Sequence, residues 1–297
     1  MVELSGIYAE RKIHPNPPVD KNMKWVLRMG LPSSKLPLEK IAAIDCGNLA
    51  ALTNPNADET VVELVADLLT FLFVFDDLLG EDSATEEQQK ACYESFLKLL
   101  RDGVLPADAT PLHDALADLK IRVDRVYPFP ERFYEAFKSY FEGCVAEAFY
   151  RRNDTTAELD SYISWREKCI GLYPVLALLE VGLPVAGEEY ERSDFQRSRT
   201  LAALIISAVN DVFSLRKEKD QGETSNFVMV IKNTEGVAEP EAIERTLALH
   251  DRFLAEFMEL KIIVDSQCTA APKKYLEGLL DWMRGNYWWS KGCVRYQ

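Results

Sequence analysis

The sequence predicts an all-α protein. Apolar residues recur at three- and four-residue spacing along almost the whole chain, the repeat of helices with a buried face. No convincing alternating strand pattern and no Asn-Gly hairpin signal interrupts that repeat. Helix breakers fall where the periodic segments stop: Asn54-Pro55, Asp102-Gly103, Tyr127-Pro128, Gly182-Leu183-Pro184 and Gly236. The spacing therefore places helices at roughly 36–52, 58–79, 85–101, 110–125, 130–152, 157–180, 188–218, 239–262 and 270–290. The chain has 297 residues, no repeat and no linker long enough to divide it. It reads as one helical domain, with residues 1–20 as an extended or lid-like segment ahead of it.

Composition narrows the function classes. Hydrophobic residues make up 47% of the chain, enough for a sizeable core and too many for wholesale disorder. Lys and Arg number 34 against 48 Asp and Glu, a net charge of −14. Nucleic acid, whose backbone is bound by clustered cations, is not an expected partner. An acidic pocket can still take an anion if its carboxylates hold divalent metal. Cys46, Cys92, Cys144, Cys169, Cys268 and Cys293 form no C-x-x-C pair and read as reduced, mostly buried thiols. Residues 1–18 are Pro-rich without an apolar secretory core. The most hydrophobic run, 64–79, is interrupted by Asp67, Thr70, Asp76 and Asp77 and is too short and too charged to span a bilayer. A cytoplasmic protein without membrane insertion, a monomer or homodimer, is the expectation.

Two stretches, 61–75 and 201–215, are apolar on nearly every side, which places them centrally in a bundle. Both end in groups that are costly to bury. The first ends in Asp76-Asp77-Leu78-Leu79-Gly80-Glu81, with Asp77 and Glu81 one turn apart and Phe73 a turn below the aspartates. Taken alone, this pair reads first as a helix end fraying into an acidic loop. The second carries Asn210, Ser214 and Glu218 at i, i+4 and i+8, which drift only about 80° around a helix. An amide, a hydroxyl and a carboxylate oxygen on one stripe, with small Ser207 and Ala203 continuing it, suit a hard cation that also binds phosphate oxygens. Cooperation between the two helices is the sharper reading of both. His14, His113 and His250 are isolated, and no nucleotide-binding or serine-hydrolase motif appears.

These residues resemble class I terpene synthases of the single-domain microbial type. Asp76-Asp77-x-x-x-Glu81 resembles their aspartate-rich motif, and Asn210-Asp211-x-x-Ser214-x-x-x-Glu218, with Lys217 before the glutamate, matches their Asn/Ser/Glu metal motif. The ending Trp289-Ser290-Lys291-Gly292-Cys293-Val294-Arg295-Tyr296 resembles their C-terminal Arg-Tyr pair. Arg166, 44 residues before Asn210, stands where the family has a diphosphate-sensing arginine. It precedes Cys169-Ile170-Gly171-Leu172-Tyr173-Pro174, where the proline should break or kink the helix.

The resemblance implies the class I terpenoid synthase fold, an antiparallel helical bundle around a central cavity, and three Mg²⁺ ions. Asp76 would bridge two ions, while Asn210, Ser214 and Glu218 would chelate the third. Asp77 and Glu81 would either join them or pair with a closing arginine. Arg166, Lys217, Arg295 and Tyr296 would hold the diphosphate of a prenyl diphosphate substrate, ionised with carbocation cyclisation and release of diphosphate. By the same resemblance the Ile170 carbonyl would face the cation, with Cys169 as linker. Phe73 is the favoured aromatic lining residue. Trp288 and Trp289 read as pocket wall by cation–π contact or simply as core, and Phe149 and Phe213 are equally open.

Residues 219–224 and the terminal Arg295-Tyr296 are expected to order as a lid when diphosphate binds. Farnesyl diphosphate is favoured slightly over geranylgeranyl, and the cycle ends by deprotonation or by water capture. The rivals are a chain-elongating isoprenyl diphosphate synthase, which would carry a second aspartate-rich motif at 210–218, and a catalytically silent helical interaction protein.

Overall fold

The computed structural model describes residues 3–79 and 85–296, and these residues contain helices and no strand. Glu81, named above beside the aspartates, lies outside them. The helices are α1 (Val19–Arg28), α2 (Leu38–Ile44), α3 (Cys46–Thr53), α4 (Glu59–Leu79), α5 (Glu86–Asp102), α6 (Pro111–Val126) and α7 (Pro130–Arg152). They continue with α8 (Leu159–Cys169), α9 (Leu172–Leu176), α10 (Glu188–Glu191), α11 (Ser193–Asp220), α12 (Phe227–Glu235), α13 (Glu239–Gln267) and α14 (Ala270–Gly292).

The two apolar stretches become the two central helices. In α4, Val62, Ala66, Leu68, Phe71 and Val74 have no exposed surface, and in α11 the run from Leu201 to Val209 is buried throughout. Each such Val, Leu, Ile or Phe contributes roughly 1.5–3 kcal/mol by leaving water. By length and composition α11 could cross a membrane, but 78% of its apolar window is buried inside the protein, as in a core helix. Helix α4 packs on α1, α3 and α6, while α11 packs on α8, α13 and α14. The central helices make no extensive contact with each other, and the space between them is the cavity described below.

Several boundaries differ from the sequence reading for local reasons. The expected helix 36–52 is two helices because Asp45 adopts a left-handed conformation, φ 61°, with both carboxylate oxygens receiving Asn48 Nδ2 at 2.9 Å. Aspartate tolerates that region better than most residues. The expected helix 157–180 breaks at Gly171, φ 71°, and not at Pro174. Pro174 instead sits in the first turn of α9, where a missing N–H costs nothing. Helices α1 and α12 have no counterpart in the periodicity. Short α12 begins where the Asn226 side chain accepts from Val228 N at 2.9 Å and ends at Gly236, φ 66°.

The chain's beginning is pinned to its end. Tyr8 OH hydrogen-bonds His250 Nε2 at 2.7 Å, Arg284 Nε donates to the Ile7 carbonyl at 2.8 Å, and Lys291 pairs with Glu3 at 2.7 Å. All six cysteines are free thiols and all but Cys92 are buried, as expected.

Gly143 holds α7 against the end of α8. A Cβ placed there would lie 2.5 Å from Cys169 N and 2.8 Å from Lys168 Cβ. Overpacking against backbone costs about 1–3 kcal/mol. Gly143→Ala is therefore expected to lower the thermal midpoint by several degrees, measured by circular dichroism, whereas Gly292→Ala, which meets no atom within 4 Å, should leave it unchanged.

Candidate active site

Between α4 and α11 lies a cavity of about 400 Å³. Helix α4 lines it with Leu69, Leu72, Phe73, Asp76 and Asp77; α11 faces them with Ile206, Asn210, Lys217 and Glu218. The third wall is the break between α8 and α9, which brings in Arg166, Cys169 and Ile170, and the fourth is α14 with Trp282, Asn286 and Trp289. Charged groups lie at the helix ends and apolar ones below. This division follows directly from two core helices that turn polar only in their last turns.

The chain terminus closes the rim. Arg295 clamps Asp77 through two parallel bonds, Nη1 to Oδ2 at 2.9 Å and Nη2 to Oδ1 at 2.6 Å. Its guanidinium stands 5.5 Å from the Phe73 ring centroid, and Trp289 lies 5.7 Å from Phe73 and 5.5 Å from Tyr296. Tyr296 OH accepts from Asn210 Nδ2 at 2.7 Å. The last residues thus tie α4 to α11. Asp77 has the arginine partner that the sequence left as one of its two options.

Asp76 remains facing the cavity. Its side chain reaches cavity water, yet protein surrounds it closely enough that burial, then the neighbouring Asp77 charge, raises its pKa; Arg295 and Lys217 oppose that shift. Lys217 is lowered by burial and by Arg295, with Asp77, Asp76 and Glu218 pulling the other way. Glu218 is raised by burial and by Asp211, while Arg166, Asn226 and Ser214 favour its ionised form.

Arg166 is buried, not a surface ion pair. Burial alone would lower its pKa, but Asp211, Tyr162, Cys169 and Glu147 together outweigh it and the guanidinium stays charged. Nη2 donates to Asp211 Oδ1 at 2.5 Å and to Asn210 Oδ1 at 3.1 Å, and Nη1 reaches Cys169 Sγ at 3.5 Å. Because a guanidinium only donates, the Asn210 oxygen is the atom turned toward it.

Asp211 is the residue that spacing alone missed. It is fully buried and also accepts from Tyr162 OH and from Phe227 N, both at 2.7 Å. Asn226 donates both to the Asp211 carbonyl and to Glu218 Oε2 at 2.7 Å. A buried acid beside Asn210 needed such partners, and Asn226 before the apolar 227–231 has the form of a helix cap, so both carried a readable signal. Glu147 carried none. Its spacing to Arg151 is that of any solvated pair, yet it lines the cavity, and burial pushes its carboxyl up to about 7.

Phe73 and Ile170 line the cavity, but Trp288 does not. Residues 282, 286 and 289 share the cavity face of α14, and the neighbouring position turns Trp288 away. It packs against Tyr287, with Lys291 Nζ 5.3 Å from its ring. Phe149 is half exposed and Phe213 packs against Tyr287; neither lines the cavity.

The α11 stripe suits a hard divalent cation. Among the described residues no three His, Cys, Asp or Glu side chains cluster as a metal site, so a cation here depends on amide and hydroxyl oxygens as well. Ser214 Oγ is buried without a hydrogen-bond partner: it lies near enough to favour the Glu218 carboxylate but not in bonding geometry. An orphaned hydroxyl between an amide oxygen and a carboxylate matches the oxygen-only donor set of Mg²⁺.

Comparison with known proteins agrees with this arrangement. The family model "Terpene synthase family 2, C-terminal metal binding" matches residues 67–256, which include Asp76 and the whole α11 stripe. A (+)-T-muurolol synthase from Roseiflexus castenholzii is 32% identical over 92% of this chain and 86% of its own length. A (+)-eremophilene synthase from Sorangium cellulosum is 29% identical over 95% and 89%. The solved structure of a cucumene synthase variant superposes with a TM-score of 0.82 at 25% identity, covering 98% of this chain and all of that one. With the helical architecture, the oxygen-donor stripe and the matched length all in agreement, the chain belongs to the terpene synthase family.

Proposed function

We propose that the protein ionises a linear prenyl diphosphate, farnesyl diphosphate in preference to geranylgeranyl diphosphate, and cyclises the resulting carbocation with release of diphosphate. The observation that carries this reading is the division of one cavity into a charged rim and an aromatic floor. The Roseiflexus relative is named as a (2E,6E)-farnesyl diphosphate cyclase, which supports the choice of chain length.

Asp76 on one wall and Asn210 and Glu218 on the other, with Ser214 buried between them on α11 and not itself lining the cavity, would hold Mg²⁺, three ions by the family resemblance. When bound, Mg²⁺ would supply positive charge to offset that gathering on the diphosphate as the C–O bond breaks. The protein's own cations act on the same group. Arg166, Lys217 and Arg295 donate charged hydrogen bonds to the diphosphate and Tyr296 adds a neutral one. Asp77 serves here as the partner that positions Arg295. Below the rim, Phe73 and Trp289 present ring faces to the developing cation, and Ile170 sits at the helix break where a carbonyl can turn toward it. The apolar walls keep bulk water from the cation and fold the chain so that an internal alkene attacks. Gln221, Glu223 and Ser225, in and after the loop that follows α11, line the mouth. This loop and the terminal 294–296 form a lid.

Incubation with geranyl, farnesyl and geranylgeranyl diphosphates plus Mg²⁺, followed by gas chromatography–mass spectrometry, is expected to give cyclised product from farnesyl diphosphate without consuming isopentenyl diphosphate. Asp76→Ala and Asn210→Ala should each lower diphosphate release by at least about 10²-fold with far-ultraviolet circular dichroism unchanged; full activity in either would contradict the metal assignment. Hydrogen exchange in segments 219–224 and 294–296 should slow when Mg²⁺ and inorganic diphosphate are added together. Equal protection with and without them would rule out the lid.

A further inference from the structure

Helix α7 adds a further side to the cavity through Tyr140, Glu147 and Arg151. These positions fall on one face of the helix, with Glu147 about 10 Å along the axis from Tyr140. Tyr140 lies against the break between α8 and α9, where a Cβ on Gly171 would stand 3.4 Å from its ring. Arg151 lies at the mouth, its Nε 3.4 Å from Glu223 Oε2. Glu147 therefore stands between the level of the break and the mouth, a carboxyl on the wall of the space that would hold a hydrocarbon cation.

The other cavity carboxyls are engaged. Asp77 is clamped by Arg295, Glu218 accepts from Asn226, Glu223 pairs with Arg151, and Asp76 faces the α11 stripe as a proposed metal ligand. Glu147 differs from all of them. Its one ion pair among the described residues is with Arg151 Nη2 at 3.7 Å, beyond hydrogen-bond range, and 15% of its side chain stays exposed. It is poorly placed to hold metal. The charges of Arg151 and Arg166 both act on it, and among the described residues it forms no acidic, His or Cys cluster that could bind an ion. Burial pushes its carboxyl up to about 7 against those two cations. A carboxyl in that range is ionised often enough near neutral pH to accept a proton.

We propose that Glu147 is the base that ends the cycle, taking a proton from a carbon next to the cationic centre so that the product is a cyclic hydrocarbon. The step balances without any further reagent. A carboxylate oxygen forms the new O–H bond, the C–H bond breaks, and its electron pair becomes the new alkene. Glu147, now neutral, passes the proton to the diphosphate released at ionisation. The sum is prenyl diphosphate giving hydrocarbon plus diphosphate. Glu147 has this task only if the proposed function holds, and the assignment then decides between deprotonation and water capture in favour of deprotonation. The rival base is the released diphosphate, which needs no carboxylate on α7.

The test is turnover of farnesyl diphosphate with Mg²⁺ by wild type, Glu147→Gln and Glu147→Asp at matched helicity, reading diphosphate release and the product profile separately. Wild type is expected to give a hydrocarbon as its main product. Glu147→Gln keeps the shape and loses the base, so the share of that hydrocarbon should fall by at least about fivefold in favour of other hydrocarbons or alcohols. Glu147→Asp keeps a carboxylate and should retain the wild-type hydrocarbon as its main product. An alcohol as the main wild-type product would overturn this inference and leave the proposed function standing. So would a wild-type profile from Glu147→Gln, which would assign the proton to diphosphate. Loss of diphosphate release in both variants would also overturn it, because a group that acts after ionisation is not needed for ionisation. No diphosphate release from wild type would overturn the proposed function and this inference with it.

Discussion

The site depends on the buried ion pair between Arg166 and Asp211. Asp211 has no exposed surface, and its oxygens receive a guanidinium from α8, a phenol from α8 and the first backbone N–H of α12. Taking such a carboxylate out of water is expensive, and only complete hydrogen bonding compensates for it. Removing one partner of a buried pair typically costs about 3–5 kcal/mol. What the pair secures is position. It fixes α8 and α12 to α11, and it holds Arg166 at the cavity edge with a second bond to Asn210. The residue proposed to meet an anion is thereby linked to the residue proposed to meet a cation.

A second constraint acts from the other side of the cavity. The chain is strongly acidic, yet Arg295 and Lys217 converge on the rim with Asp76 and Asp77. Each cation there is partly compensated. Arg295 is held by Asp77, and the aromatic sequence Phe73, Trp289 and Tyr296 packs beneath it. A terminus that would ordinarily fray is instead docked by an ion pair, a hydrogen bond and ring contacts. It lies across both central helices and so joins the two walls.

The parts of this arrangement legible in the sequence are those set by helical periodicity. Runs 61–75 and 201–215 are apolar on nearly every side, and that alone placed α4 and α11 at the centre with polar ends facing a common space. The stripe Asn210, Ser214 and Glu218 was legible for the same reason. Features set by single backbone choices were less so. Asp45 and Gly171 divide helices through left-handed conformations that periodicity does not register, and Pro174 misdirects because a first-turn proline begins a helix as readily as it ends one. Trp288 and Trp289 differ by one position, 100° on the helix, which sequence alone does not resolve. Asp211 was visible only as a neighbour of Asn210, since its role comes from Tyr162 and Phe227, which lie 49 and 16 residues away.

The central claim is that positioning by Asp211, a residue outside the cavity lining, governs chemistry inside it. The most direct measurement is Mg²⁺-dependent diphosphate release from farnesyl diphosphate by Asp211→Asn, compared with wild type at matched helicity. The isosteric amide keeps the shape and removes the charge that holds Arg166. A loss of about 10²-fold or more is expected, the consequence of an ångström-scale misplacement of a substrate-positioning group. Release at the wild-type rate, with Arg166 no longer paired, would contradict it.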